Sequence, residues 1–192
     1  IITSDHGEQL GDHGLVEKLA FYPQSYHILG LWVDPRREAG VLSEFTENVD
    51  LLPTLCDTLG LEIPRSVDGR SLVPLMNGTA TEWRRAAHYE WDWRYFFLNS
   101  RTPRWPYDRT LSRQNLAVSV GEDLAYVHFG DGSFKAYDLA ADPTWRTECD
   151  DATRVLAGAN ELLTWRQEHL GRVDADMLVN ERRSGIWPAF SA

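Results

Sequence analysis

The chain begins with a short segment, SDHG at residues 4–7, whose side chains could bind a metal ion. Asp5 offers an anionic carboxylate oxygen and His6 an imidazole nitrogen, and adjacent loop residues can direct both groups at one cation. Two β-branched residues, Ile1 and Ile2, come directly before and predict the end of a buried strand. Ligands of open α/β sheets gather at the carboxyl ends of strands, where this pair would lie. An Asp-His pair in a glycine-rich loop also serves as a turn and cap, so the pair alone leaves both functions open.

The first part of the chain has the pattern of an α/β domain that would position this loop. Residues 1–4 predict the tail of a strand, residues 5–14 a loop, and residues 26–33 a second buried strand. Residues 48–60 predict a helix with one apolar face. We expect that face to be core, and its members are Leu51, Leu52, Leu55, Cys56 and Leu59.

The pattern changes near residue 84, where short runs with the period of a strand begin. Compact turns rich in Gly and Asp separate the later runs, which is typical of an antiparallel meander. The predicted strands are residues 86–93, 116–120, 124–129 and 134–139, and residues 152–170 predict an amphipathic helix. The sequence therefore predicts an α/β part at residues 1–83, a small antiparallel sheet with a helix at residues 84–170, and a tail at residues 171–192.

Composition and charge narrow the class of protein. The 192 residues are enough for one domain with a substantial core, and a hydrophobic content of 43% is ordinary for a globular protein. Net charge is −10, and no basic cluster is long enough to indicate nucleic-acid binding. An acidic protein that acts on an anionic substrate needs local positive charge, from a metal ion or from a placed Lys or Arg. No apolar run is long enough to predict a transmembrane helix.

The two cysteines and the first residues bear on what the chain can do. Cys56 lies on the apolar face of the predicted helix, and neither it nor Cys149 has the spacing of a metal ligand. The chain has no initiator Met and opens on strand residues. We therefore expect it to be cut from a longer protein, with any N-terminal signal on the missing part.

Several motifs in order along the chain resemble the C-terminal half of sulfatases of the alkaline phosphatase superfamily. They are SDHGEQLGDHGLVEK (4–18), FTENVDLLPTLCDTLGLEIP (45–64), DGRSLVPLMNG (68–78), AHYEWDWR (87–94) and YDLAADP (137–143). The branch that these motifs resemble most is that of the phosphonate monoester hydrolases and arylsulfatases. The resemblance implies the C-terminal part of an alkaline-phosphatase-like α/β/α sheet domain, followed by a small antiparallel sheet with a C-terminal helix.

The resemblance also assigns roles to three residues. Asp5 and His6 match the family's metal ligands, and Lys18 matches the lysine that contacts the sulfuryl or phosphoryl oxygens. Transfer of such a group spreads negative charge over its oxygens, which a divalent cation and an ammonium neutralise. The implied cofactor is one divalent ion, Ca²⁺ or Mn²⁺. The implied parent protein is a hydrolase of sulfate esters or of phosphonate or phosphate esters.

The nucleophile of that family is a formylglycine made from Cys or Ser in a Cys/Ser-x-Pro-x-Arg motif, which this sequence lacks. The resemblance therefore implies that the nucleophile lies in a missing N-terminal part and that this chain is inactive by itself. The implied partners are a small anionic ester and either the missing half or a second copy of the chain. The phosphonate-hydrolase resemblance implies a cytoplasmic location, while many sulfatases are exported to the periplasm or secreted.

Other residues and other functions remain open from the sequence. His13 and His27 are interpreted as structural, and Tyr22 and Tyr26 could line a pocket. One alternative is a two-metal phosphatase or nucleotide pyrophosphatase, which would need further histidine ligands; three candidates lack an obvious ligand context: His88, His128 and His169. Another alternative is a non-catalytic, sulfatase-like interaction module.

Overall fold

The computed structural model describes residues 1–18, 20–92, 113 and 115–178, with side chains described as far as residue 169. The chain divides into two compact units. The first comprises Ile1–Ala87, Gly121–Asp123 and Asp138–Thr147, and the second comprises His88–Val120, Leu124–Tyr137 and Glu148–Ala192. The boundaries drawn from the sequence after residues 83 and 170 stay a prediction.

The first unit contains short strands and short helices joined by long loops. In chain order they are β1 (Ile2–Thr3), β2 (Gln9–Leu10), β3 (Val16–Glu17), α1 (Pro23–Tyr26), β4 (Gly30–Leu31), α2 (Leu51–Thr58) and α3 (Val73–Met76), with 3₁₀ turns at Asp12–Gly14 and Asn48–Asp50. β1 pairs antiparallel with β4, and β2 pairs antiparallel with β3 in a hairpin. These two ladders hold the loop that carries Asp5 and His6 between β1 and β2.

The predicted burial of the first two strands is wrong. Ile2 is 57% exposed and its partner Leu31 is 46% exposed. The segment predicted as a strand at residues 26–33 instead starts at the end of α1 and contributes only the two residues of β4. Within the residues that the structure describes, β1 and β4 form a sheet of two strands, so no third strand lies beside either of them. Apolar content predicted the strands, but it carries no information about the layer that would cover them.

Helix α2 buries only part of the predicted face: Cys56 is buried as predicted, but three of the leucines are exposed. Leu52, Leu55 and Leu59 are 50%, 37% and 66% exposed, whereas Pro53, Thr54 and Cys56 are buried. The reason is a hydrogen-bonding role for Thr54, whose hydroxyl donates to Asp50 O at 2.6 Å and accepts from Leu72 N at 2.9 Å. The polar threonine therefore faces inward, and the leucines turn outward because they share the opposite side of the helix.

The second unit is built on a four-stranded sheet, in the order β5-β6-β7-β8. The strands are β5 (Ala87–Asp92), β6 (Asn115–Val120), β7 (Leu124–Phe129) and β8 (Phe134–Asp138). β6 and β7 are antiparallel, with Val118 opposite Val127 at the centre of the register, and both side chains are fully buried. This confirms the predicted antiparallel sheet.

One long helix, α4 (Ala152–Leu178), packs on this sheet. Asp151 precedes it and caps it, since Asp151 Oδ1 accepts hydrogen bonds from Thr153 N at 2.8 Å and Arg154 N at 3.2 Å. The core between helix and sheet consists of Ala117, Tyr126, Ala136 and Leu162, with Leu124, Cys149, Val155, Ala159 and Trp165 packed around it. The sheet and its C-terminal helix thus form one hydrophobic core.

The chain has the predicted α/β fold class, with mixed helices and strands in the first unit and an antiparallel sheet with a C-terminal helix in the second. α4 ends at Leu178, beyond the predicted helix end at residue 170. The rest of the predicted tail, residues 179–192, lies outside the described residues. Among the residues described, no helix has the length and apolarity to cross a membrane.

Candidate active site

The loop after β1 is held in shape by its own hydrogen bonds. Ser4 Oγ donates to the His6 carbonyl at 2.5 Å, and His6 N donates to Asp5 Oδ1 at 3.0 Å. Serine and aspartate favour turns because their short side chains can bond nearby backbone groups in this way. These two bonds contribute to the shape of the turn in the absence of a ligand.

Asp5 and His6 direct their side chains toward each other. His6 Nε2 lies 3.5 Å from Asp5 Oδ2, and the side chains are 33% and 85% exposed respectively. His6 Nδ1 lies 2.7 Å from Gly7 O. Because a carbonyl oxygen can only accept, Nδ1 carries a proton, and Nε2 is the ring nitrogen that faces the carboxylate. One carboxylate oxygen and one imidazole nitrogen thus lie beside each other at the same accessible region.

The Asp5 carboxylate is kept ionised by its neighbours. Partial desolvation raises the pKa of Asp5, but attraction to His6, backbone hydrogen bonds from Asp5 and His6, and the charge of Lys18 together lower it below its ordinary value. An ionised carboxylate is the form that binds a hard cation.

Lys18 lies in the turn after β3 and is half-buried. Its charge acts on Asp5, since it contributes to the lowered pKa of that carboxyl. Glu17, the residue before it, has a left-handed backbone with φ of 62°, which is uncommon for a non-glycine residue. The β2–β3 hairpin thus brings the Lys18 ammonium close enough for its charge to lower the pKa of Asp5.

The far end of the loop is anchored on α1. Gly7 N donates to Ser25 O at 2.8 Å, and Ser25 is fully buried. A Cβ on Gly7 would lie 2.0 Å from Gln24 O, so only glycine permits this approach. The glycine after the Asp-His pair therefore has a packing reason of its own.

The other candidate residues in the first unit have local roles. His13 stacks on Tyr22 with ring centroids 3.6 Å apart and 2° between the planes, and Tyr22 meets Trp145 edge-on at 6.3 Å. His27 follows α1, where its backbone N–H donates to Pro23 O at 2.7 Å, and it is exposed instead of interrupting a strand. Burial raises the pKa of Tyr26 to about 12. The structural interpretation of His13 and His27 stays a prediction.

A family model described as N-sulphoglucosamine sulphohydrolase, C-terminal, matches residues 11–162 of this sequence. The match covers far more than half of the chain. This chain belongs to the sulfatase family.

Relatives of this sulfatase domain include a multifunctional alkaline phosphatase superfamily protein, PehA, of Trinickia caryophylli, 38% identical over 90% of the chain and 35% of the relative. Arylsulfatase K of Xenopus laevis is 36% identical over 98% of the chain and 35% of its own length. Among solved structures, the phosphonate monoester hydrolase of Agrobacterium radiobacter superposes with a TM-score of 0.72 at 36% identity, over 87% of the chain and 34% of its own. The chain spans about a third of the length of these relatives.

The remaining histidines of the sulfatase domain lie in the second unit and have protein partners. His88 contacts Ser119 Oγ at 3.3 Å and Glu161 Oε1 at 3.5 Å. His128 Nδ1 lies 3.3 Å from Tyr126 OH, and His169 Nδ1 lies 2.8 Å from Trp165 O. In the part of the chain that the structure describes, no three His, Cys, Asp or Glu side chains group as a metal site. Nothing in these contacts favours a two-metal centre.

Two further residues shape the site: the sequence predicted a turn role for Gly7, and it gave no sign of the contact made by Asn48. Asn48 Nδ2 donates to Ser4 O at 3.0 Å, and Gly7 supplies the close approach to α1. The signal for Gly7 was present, since a glycine directly after a proposed ligand pair predicts a tight backbone approach. The contact of Asn48 spans 44 residues and has no periodic signature in the sequence.

Proposed function

We propose that this chain is the C-terminal portion of a metal-dependent hydrolase of sulfate esters or of phosphonate or phosphate esters. Its relatives at 36–38% identity are named as an alkaline phosphatase superfamily protein, an arylsulfatase and a phosphonate monoester hydrolase. The observation that carries the proposal is the 3.5 Å approach of Asp5 Oδ2 and His6 Nε2, with the charge of Lys18 acting on the same carboxylate.

Asp5 and His6 would hold one divalent cation, Ca²⁺ or Mn²⁺. A carboxylate oxygen and an imidazole nitrogen suit such an ion. Nδ1 of His6 is bonded to Gly7 O, so Nε2 would be the ligand, and its 3.5 Å distance from Asp5 Oδ2 allows both atoms to reach one ion. When bound, the ion would neutralise negative charge on the oxygens of the ester group. Two protein ligands fill only part of a coordination shell, so the other ligands would come from residues outside this chain, and the affinity of the chain alone should be weak.

Lys18 would bind the substrate. An ammonium group carries three donors and a compact charge, which suits the non-bridging oxygens of a sulfuryl or phosphoryl group. It would also stabilise the charge that spreads over those oxygens during transfer. In a chain with a net charge of −10, a local cation and an ammonium are what would attract an anionic ester.

The nucleophile would come from outside the 192 residues. Cys56 is 8% exposed within α2, and Cys149 packs against the core of the second unit, so neither is presented as an attacking group. We infer that the attacking group is a formylglycine outside this chain, because the relatives are about three times longer than the chain. The chain alone is then inactive, and it would work in association with the region that carries the formylglycine. We propose a cytoplasmic location, as the resemblance to phosphonate monoester hydrolases implies, with the periplasm or secretion as alternatives.

The test compares lysines in the two units. The complete protein, assayed with an aryl sulfate and an aryl phosphonate, should turn over at least one of them. Lys18→Ala should lower kcat/KM by about 10²–10³-fold, as removal of an oxyanion donor does. Lys135→Ala is the matched control, because Lys135 pairs with Glu148 in the second unit. Absence of turnover with both substrates, together with equal behaviour of the two variants, would refute the proposal.

A further inference from the structure

One side-chain amide connects the turn before α2 to the loop that carries Asp5 and His6. Asn48 Nδ2 donates to Ser4 O at 3.0 Å. Asn48 Oδ1 also accepts a longer hydrogen bond from Thr3 Oγ1 at 3.4 Å. The carbonyl of Ser4 belongs to the planar peptide group that continues into Asp5. A hydrogen bond at that carbonyl therefore sets the plane from which the Asp5 side chain departs.

The turn that carries Asn48 is itself fixed from inside the first unit. Asp50, the last residue of the turn, is fully buried and accepts hydrogen bonds from Glu47 N and Arg70 N, both at 2.8 Å. Arg84 forms a bidentate ion pair with the Asp50 carboxylate. Since a buried, fully paired carboxylate holds its neighbours in one arrangement, Asn48 projects from a rigid base.

The loop is thus held at both ends. Gly7 N donates to Ser25 O after the Asp-His pair, and Asn48 donates to Ser4 O before it. Asp5 and His6 are the two residues between these hydrogen bonds. Loss of either hydrogen bond would let the Asp5 and His6 side chains sample separations other than 3.5 Å.

We propose that Asn48 is a positioning residue, which holds Asp5 Oδ2 and His6 Nε2 at the separation that lets both bind one cation. The inference rests on the proposed function, because it assumes that this pair binds a cation. Asn48 touches neither cation nor ester in this proposal; it acts through the Ser4 carbonyl. Its loss should weaken the cation site without unfolding the chain, since Asn48 is exposed and alanine is compatible with a helical turn.

The experiment is a Mn²⁺ titration of the 192-residue chain, followed by paramagnetic broadening of the His6 imidazole signals in NMR spectra. We expect a dissociation constant of about 10⁻³ M, in the range of weak carboxylate sites. Asn48→Ala should raise that constant about fivefold, the effect of one ordinary hydrogen bond. Thr3→Val is the matched control, because it removes the two 3.4 Å contacts of Thr3 Oγ1 with Asn48 Oδ1 and Ser4 O but keeps the 3.0 Å hydrogen bond from Asn48 to Ser4 O. It should therefore raise the constant less than Asn48→Ala does.

Denaturant unfolding is measured alongside the titration. Asn48→Ser, whose side chain is one bond shorter, serves as a second variant if Asn48→Ala does not fold, and it should show the same weakening. If wild type binds Mn²⁺ and Asp5→Ala does not, but both Asn48 variants bind as wild type does, the positioning role is wrong and the proposed function stands. If Asp5→Ala broadens His6 as wild type does, the cation site itself is wrong.

Discussion

The ion pair between Asp50 and Arg84 makes a sharp prediction about stability. The Asp50 side chain is fully buried and that of Arg84 is 12% exposed. Burial lowers the pKa of Arg84, but hydrogen bonding to Asp50 and attraction to Glu47 and Asp50 outweigh this and raise it. We choose Arg84→Met, which keeps much of the apolar stem and removes the charge, so that the effect of the lost cation is separated from that of lost packing.

The expected cost follows from what remains around Asp50. Removal of one partner of a buried ion pair typically destabilises a protein by about 3–5 kcal/mol, because the other charge is left uncompensated. Glu47 N and Arg70 N continue to donate to the Asp50 carboxylate, which favours the lower end, about 3 kcal/mol. Arg84→Lys keeps the positive charge but loses the bidentate geometry, so it should destabilise the chain less than Arg84→Met does.

The assay is urea unfolding of the chain and its variants, with the midpoint and slope both fitted. The double variant Asp50→Asn/Arg84→Met removes both charges, and it should recover about 0.5–3 kcal/mol relative to the sum of the single variants. The reasoning is refuted if Arg84→Met costs less than about 1 kcal/mol, the scale of an exposed pair. It is also refuted if the effects of the two single substitutions simply add.

Three further predictions concern the chain by itself. Hydrogen bonding from the Thr144 hydroxyl lowers the pKa of Asp142 to about 2. Its stabilising effect is present above the ordinary value of 3.8 and is lost as pH falls toward 2, so Asp142→Asn should lower the melting temperature at pH 7 and much less near pH 2. Burial raises the pKa of Tyr26 to about 12, so the absorbance change from ionisation of its phenol should occur near pH 12 in the folded chain. Tyr26→Phe should remove that part of the titration curve. A Cβ on Gly69 would lie 2.0 Å from a backbone carbonyl oxygen, whereas one on Gly40 meets nothing within 4 Å. Gly69→Ala should therefore destabilise by about 1–3 kcal/mol and Gly40→Ala should not, as urea midpoints would show.

The sequence predicted the second unit well because its signals are local. β6 and β7 lie within a residue of the predicted bounds, and compact turns of Gly and Asp separate the strands. In the turn after β7, Gly132 adopts a φ of 91° and Asp131 Oδ1 accepts from Ser133 N at 2.8 Å. Alternation and turn chemistry operate over a few residues, so they can be read without knowledge of the fold.

The first unit was predicted less well because its burial depends on distant partners. The outward leucines of α2 and the exposed Ile2 have the composition of core residues. The inward face of α2 is set instead by Thr54, through a hydrogen bond from Leu72 N. No local pattern distinguishes a threonine that bonds inward from one that faces solvent.

In the candidate site, too, the features set by local sequence were predicted and those set by distant contacts were not. The spacing and residue types of Asp5 and His6 predicted a pair that could share a cation, and the structure places their Oδ2 and Nε2 atoms 3.5 Å apart. The role of Lys18 came from family resemblance, and it stays a prediction. The contact of Asn48 with Ser4 could not be predicted, because it joins segments that are brought together only by folding.

We propose above all that Asp5 and His6 bind one cation together. The most direct measurement is the anomalous scattering of Mn²⁺ in crystals of the complete protein. We expect a single strong peak about 2.3 Å from both Asp5 Oδ2 and His6 Nε2, and its loss in Asp5→Ala. A peak bound by neither residue, or one that keeps its height in Asp5→Ala, would contradict it.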